Sequence, residues 1–293
     1  MDGVFAFLKP PGITSHDAVG ICRRLLHEKR IGHSGTLDPL AYGVLPIFVG
    51  RATRLIEYTG HETKTYVAEG QFGFSTDTED STGHILTSVT SIDAEPTAQE
   101  LAHVLSTFIG EQMQRPSKYS AIKINGKRAY ELARAGEEFV LPERPITIYD
   151  CKLLAYKYPF FTIRVHCSSG TYIRALIRDI ANAVGIPATM TQLARTQVGT
   201  MRIADAVTAE ELAVSGEAFL QPVDTALQHM PAVRLSEKER LALLQGKQLR
   251  LPLLAADEVV SGQLYRAYGE RGFMGIAKGI DGALKAEKNI FLE

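Results

Sequence analysis

Cysteine is scarce in this chain: Cys22, Cys151 and Cys167 are the only three in 293 residues, they lie far apart, and none forms a Cys-x-x-Cys pair. That spacing argues against a zinc site and a disulfide framework, and fits a reducing cytoplasm. Long apolar runs are also missing. No stretch approaches the roughly 20 apolar residues of a membrane span. The start, Met1 to Val4, opens no basic segment followed by an apolar run, so neither export nor membrane insertion is expected. A P-loop, a dinucleotide-binding glycine fingerprint and a metal-ligand cluster are all absent from the sequence. Nor is there an excess of either charge. The formal net charge is −1, where a nucleic-acid binder usually carries a basic signature.

What is present describes an ordinary globular protein, 45% hydrophobic and 22% charged. The length exceeds that of one usual domain, so a large domain with a small one is expected. Charge is unevenly spread. Arg115, Lys118, Lys123, Lys127, Arg128 and Arg134 cluster with only Glu131 among them, while acids gather at Asp77 to Asp80 and Glu137 to Asp150. Such a cluster is either a basic arm for phosphates or a solvated charged face.

Along the chain, Phe5 and Phe7 suggest a short strand stopped at Pro10, Pro11 and Gly12, after which Ser15 caps a helix carrying Ala18, Val19, Cys22, Leu25 and Leu26. Lys64 to Phe74 reads as a strand. Thr97 with Glu100, Thr208 with Glu211, and Ser236 with Glu239 are spaced as capping boxes that open three further helices. Phe161, Ile163 and Val165 alternate with polar residues as in a strand; a turn at Cys167 to Gly170 then leads into a helix from Thr171 to about Gly185. Another strand spans Gln192 to Gly199. A break falls near Met230 and Pro231, and glycine-punctuated β-like runs follow the third boxed helix.

The most informative stretch is Arg30 to Thr53. Gly32 and Gly35 admit backbone angles closed to other residues, and Pro39 pushes Asp38 into extended geometry. Leu37, Leu40, Val44, Leu45, Ile47, Phe48 and Val49 give this loop apolar footing, so a lone carboxylate sits beside a hydrophobic element. Read from spacing alone, Asp38 is as readily a cap on a helix beginning at Pro39.

Gly32-His33-Ser34-Gly35-Thr36-Leu37-Asp38-Pro39-Leu40-Ala41, followed by Gly43, Leu45, Pro46, Gly50, Ala52 and Thr53, resembles the catalytic motif of the TruB family of tRNA pseudouridine synthases. Three further segments resemble that family's motifs in the family's order: Lys9 to Ser15, Lys64 to Tyr66, and Ser169 to Leu176. The resemblance implies an α+β fold. A large domain over 1–230 would hold a central, mainly antiparallel sheet flanked by helices, with a thumb-like RNA-binding insert at about 112–146; a small β-rich, PUA-like RNA-binding domain would occupy 231–293. It implies Asp38 as nucleophile, Arg174 as its carboxylate partner, and Tyr66 stacking on the base and standing as candidate acceptor for the C5 proton. Tyr172 and Leu193 would line the base pocket, and His33 would fill the space left by flipped bases. Lys9, Lys64, Arg115, Lys118, Lys123, Lys127 and Arg128 are the expected RNA contacts.

The implied reaction breaks the N-glycosidic bond of uridine, turns the base and rejoins it through carbon, at position 55 in the T loop of tRNA. It requires no metal and no organic cofactor. An ionised Asp38 is needed, and an arginine beside it supports the charged form. The base must leave its stack, at a cost of about a few kcal/mol. The expected partner is the T arm of tRNA, with no membrane and no obligatory protein partner, in the cytoplasm. Two rival readings are a tRNA-binding or folding protein without turnover, and a glycosidase using Asp38; the second lacks a clearly placed second acid.

Overall fold

Seven strands, the first, third, fourth, seventh and tenth to twelfth along the chain, pair into one sheet that crosses the larger part of the molecule, in the order first, third, twelfth, fourth, eleventh, tenth, seventh, with two short strands pairing off this path. In chain order, the computed structural model runs through β1 (Gly3–Lys9), α1 (Ser15–Leu26), β2 (Ile31–His33), β3 (Tyr42–Val49) and a 3-10 segment (Gly50–Tyr58) to β4 (Lys64–Phe72). The hairpin β5 (Phe74–Thr76) and β6 (Ile85–Ser88), then α2 (Ala98–Thr107) and β7 (Gly110–Gln114), lead to the small hairpin β8 (Lys123–Ile124) and β9 (Lys127–Arg128) and to α3 (Ala129–Arg134). The long strands β10 (Arg144–Lys157) and β11 (Phe160–Cys167), α4 (Ile173–Val184) and β12 (Ala188–Val198) complete the sheet. After β13 (Met201–Arg202) and α5 (Ala209–Ser215), a second sheet forms from β14 (Ala232–Arg234), β15 (Leu264–Gly269), β16 (Gly272–Ile280) and β17 (Ala283–Asn289), with α6 (Glu237–Leu244) against it. The structure describes residues 1–89, 94–120, 122–124, 126–250 and 259–290. Residues 121 and 125 of the expected basic insert, and 251–258 and 291–293 of the expected small domain, lie outside the described residues.

Every pairing along the main path is antiparallel except the one between β3 and β12, so the sheet is mainly antiparallel, as expected. Four helices, α1, α2, α4 and α5, pack against this sheet. α2 and α4 bury Leu101, Leu105, Ile173, Leu176, Ile177 and Ile180 against β4, β10, β11 and β12. α1 and α5 bury Ala18, Val19, Cys22, Leu26 and Leu212 against β1 and β3. Among the described residues no helix is long and apolar enough to cross a membrane.

Helix α1 begins one residue away from the expected cap. Thr14, not Ser15, is the N-cap: its hydroxyl accepts from the Asp17 amide and Asp17 reaches back to it. Ser15 is thereby free for a different task. No helix follows Pro39, and the chain turns there and runs into β3.

Candidate active site

The loop between β2 and β3 is fastened by three side chains from elsewhere in the chain. The Ser15 hydroxyl donates to the Leu37 carbonyl and accepts from the Leu37 amide, both at 2.9 Å. Arg195, from β12, donates to the carbonyls of Val44 (2.8 Å), Gly35 (2.9 Å) and Thr36 (3.3 Å). Lys9, at the end of β1, donates to Pro10 and Ile13 (both 2.8 Å) and to Pro39 (3.5 Å). Lys9 is 0% exposed and Arg195 only 1%, so their charges are matched by peptide carbonyls instead of water. The residues on either side of Asp38 therefore have fixed backbones.

Arg174, the second residue of α4, meets Asp38 in the ion pair that the resemblance implies: its Nε lies 3.0 Å from Asp38 Oδ2. The arginine side chain is 5% exposed and the carboxylate 35%, so the acid keeps a face open to an incoming substrate. The rest of the guanidinium is occupied. Nη1 donates to Thr78 O (2.9 Å) and Ser117 Oγ (3.3 Å) and lies 3.7 Å from Asp80; Nη2 donates to Tyr119 O (2.9 Å). Asp80, one of the acids gathered at 77–80, is thus a second carboxylate on Arg174. It is held by Thr78 and Thr82.

Tyr172 stands just before α4. Gln114, at the end of β7, accepts from the Tyr172 amide (2.9 Å) and donates to its carbonyl (3.1 Å), fixing the residue from both sides. Tyr66 is registered on β4 opposite Arg195 of β12. Burial pushes its hydroxyl above the ordinary tyrosine range, opposed by nearby Arg195. Tyr66, Leu193, Leu37 and Ile173 belong to one apolar cluster, which includes the loop residue next to Asp38. His33 ends β2; burial, with Arg195 and His16 adding to it, lowers its pKa, and its Nδ1 has no hydrogen-bond partner among the described residues. The loop, Tyr66, Tyr172, Arg174 and Leu193 are thus gathered at one place.

The expected RNA cations fall into two groups. Lys9 is enclosed, and its ammonium serves carbonyls instead of phosphates; burial lowers its pKa to about 8. Lys64 lies beside the loop, since a methyl group placed on Gly35 would come within 3.7 Å of its Nζ, and burial and then Arg195 lower its pKa. The others are exposed on the 112–146 insert, but two are paired: Arg115 with Glu143 at 3.1 Å and Lys127 with Glu137 at 3.6 Å. Acids that stand apart in sequence therefore neutralise part of the basic arm. Arg128 lies against the Tyr130 ring, 5.9 Å from its centroid, and Lys118 and Lys123 face solvent. The reading of glycines also changes at Gly32, where space decides: a Cβ there would lie 2.7 Å from the Ile56 side chain. Among the described residues no cluster of three or more His, Cys, Asp or Glu could hold a metal ion.

The mainly antiparallel sheet and the paired Asp38 and Arg174 fit the pseudouridine synthase fold that the resemblance implies. The structure aligns with a solved Cbf5-Nop10-Gar1 complex at a TM-score of 0.78 and 25% identity, over 99% of this chain and 85% of the other. The model of the TruB family pseudouridylate synthase N-terminal domain matches residues 23–173, and that of the tRNA pseudouridylate synthase B C-terminal domain matches 174–228. Similar relatives include the tRNA pseudouridine synthase B of Geobacillus thermodenitrificans, 44% identical over 86% of this chain and 87% of its own. That of an Azoarcus species is 41% identical over 99% and 95%. The chain belongs to the TruB family and is a pseudouridine synthase, an isomerase.

Proposed function

We propose that this enzyme converts the uridine at position 55 in the T loop of tRNA to pseudouridine, with Asp38 as nucleophile. The observation that carries the roles is the 3.0 Å pairing of a partly open Asp38 with a buried, otherwise saturated Arg174. In the reaction the N1–C1′ bond breaks, a C5–C1′ bond forms, and a proton leaves C5 while N1 regains one. Atoms and electrons are conserved, so the isomerisation calls for no redox partner or group donor. Asp38 forms a transient covalent bond to the substrate, which is broken again as the C-glycoside is completed, so that the carboxylate is regenerated. Arg174 aims the carboxylate and supports its charge. Tyr66 and Tyr172, with Leu193, form the wall on which the flipped base rests, offsetting part of the unstacking cost of about a few kcal/mol. His33 occupies the gap the base leaves.

The exposed Lys118, Lys123 and Arg128 of the 112–146 insert, and Lys64 beside the loop, meet the T-arm backbone; residues 231–293 extend the RNA surface as a PUA-like unit. Such an enzyme works in the cytoplasm. The test is pseudouridine formation on an unmodified tRNA transcript by the native chain and by Asp38→Asn, with the modified position mapped. Conversion of one T-loop uridine by the native chain alone, with tRNA affinity kept in the variant, is expected. Conversion at another site, or by Asp38→Asn, overturns the assignment.

A further inference from the structure

Helix α4 carries a second arginine one turn after Arg174, and at this spacing both project from one face. Arg178 Nη1 lies 2.6 Å from Glu79 Oε1, Nη2 donates to the carbonyl of Arg115 at 2.9 Å, and Nε donates to Asp179 at 3.0 Å. The two arginines therefore grip the same two segments at alternating positions. In the turn after β5, Arg174 takes the Thr78 carbonyl and the Asp80 carboxylate, and Arg178 takes Glu79 between them. In the root of the 112–146 insert, Arg174 takes Ser117 Oγ and Tyr119 O, and Arg178 takes Arg115 O. Arg174 reaches each segment with a single guanidinium, and Arg178 adds a second one to both. Two guanidiniums, one helical turn apart, fix the direction of each segment.

Two details of Glu79 bear on this contact. Glu79 has a φ of +64°, a backbone conformation that side chains other than glycine rarely adopt. Its Oε2 is buried with no hydrogen-bond partner among the described residues, so Arg178 is what balances this carboxylate. The turn and the insert root also touch directly, through the Tyr119 hydroxyl donating to Asp77 at 3.2 Å.

We infer that Arg178, paired with Glu79, is a positioning residue for the reaction: it locks the 78–80 turn and the 115–119 root so that Arg174 stays aimed at Asp38. The inference rests on the function proposed above. Loss of Arg178 strands the Glu79 carboxylate, lets the turn open, and removes the fixed acceptors that orient the Arg174 guanidinium. The defect then appears in the chemical step more than in RNA capture.

The experiment measures single-turnover pseudouridine formation on unmodified tRNA at saturating enzyme, tRNA Kd, and thermal midpoint for native protein, Arg178→Met, Arg178→Lys, Glu79→Gln and the Met/Gln double variant. Arg178→Met is expected to slow the step by about tenfold or more, with Kd within about threefold of native. Arg178→Lys, which can keep Glu79 but not the Arg115 carbonyl as well, falls between. The double variant loses no more rate than Arg178→Met, because its partner is already idle. An unchanged rate, a loss confined to Kd, or additive losses overturn the inference. Should Arg178→Met not fold, Arg178→Lys with Glu79→Gln is read by the same criteria. Native protein that converts no T-loop uridine overturns the underlying functional reading and this inference with it; native conversion with unaffected variants overturns this inference alone.

Discussion

Thr14 and Ser15 are adjacent hydroxyls with separate tasks, and the difference is measurable. Ser15 closes both main-chain groups of Leu37, next to Asp38, whereas Thr14 serves only the first turn of α1. Ser15→Ala leaves a buried amide and carbonyl unpaired, a loss of about 1–3 kcal/mol, and loosens the loop; stability and turnover fall together. Thr14→Ala removes a cap for about 1 kcal/mol and leaves turnover alone. Urea denaturation with a pseudouridine assay on both variants checks this, and equal effects on turnover would refute the division. Lys9 gives a pH signature. Burial lowers its pKa from 10.5 to about 8, with Asp38 opposing. The folded value lies below the unfolded one, so between about pH 8 and 10.5 the unfolded chain holds more protons and folding is favoured as pH rises. Below about 8 this contribution is absent. The stability of native protein relative to Lys9→Met therefore grows across that window, by at most about 3 kcal/mol. Denaturation midpoints of the two proteins at either end of the window decide it; a constant or shrinking difference counts against the assignment.

Strands β3 and β12 are joined by the single parallel pairing of the main path, at Tyr42 with Ala194 and Gly43 with Arg195. Gly43 makes this contact: its φ is +117°, and a Cβ there would sit 2.3 Å from the Arg195 carbonyl. Gly43→Ala must part the strands or twist the backbone, and either withdraws Arg195 from the carbonyls of Gly35, Thr36 and Val44. A loss of about 2–4 kcal/mol is expected in denaturation, with turnover impaired in the protein that remains folded; a neutral variant would mean the pairing is not needed. The same junction shows where sequence reading stops. The three capping boxes were legible because Ser or Thr and Glu stand three residues apart on one local segment, and the structure has all three. At α1 two hydroxyls competed, and Asp17, three residues after Thr14, decided between them. Arg195 was illegible for another reason. Leu193, Ala194 and Arg195 are all buried, and a bulge follows Arg195, so the two-residue alternation that separates inside from outside is lost. Its partners, like those of Gln114 and Ser15, are main-chain atoms far away in sequence, which carry no side-chain signature. Asp38 and Arg174 were legible only through resemblance, because they stand 136 positions apart, 174 − 38, on a loop and a helix that only the folded sheet brings together.

At the scale of the molecule, the small second sheet is seated firmly on the larger one. Ile276 and Ile290 are 1% and 3% exposed, packed in one cluster with Val4, Val44, Phe48, Ala52 and Leu55. Polar ties surround this contact. The Tyr268 hydroxyl donates to Asp224, Arg266 Nη1 lies 3.8 Å from the same carboxylate, Arg266 Nε donates to the Met230 carbonyl at 3.0 Å, and Lys288 pairs with Glu57. Burial, with Asp224 beside it, pushes the Tyr268 hydroxyl up to about 12. The seam also reaches the strand that follows the Asp38 loop, because Val44 and Phe48 lie on β3. The two sheets should therefore unfold together. Ile276→Ala opens a cavity in the seam at a cost of about 2–5 kcal/mol, and the loss should be felt by the whole chain. The sequence has no tryptophan and 11 tyrosines, so tyrosine fluorescence reports on both sheets while far-UV circular dichroism reports on secondary structure. In urea both signals should trace one transition in the native protein, and in Ile276→Ala one transition at lower denaturant with an unchanged slope. Two separated transitions in the variant would mean that the small sheet melts on its own and that the seam does not couple it to the catalytic body.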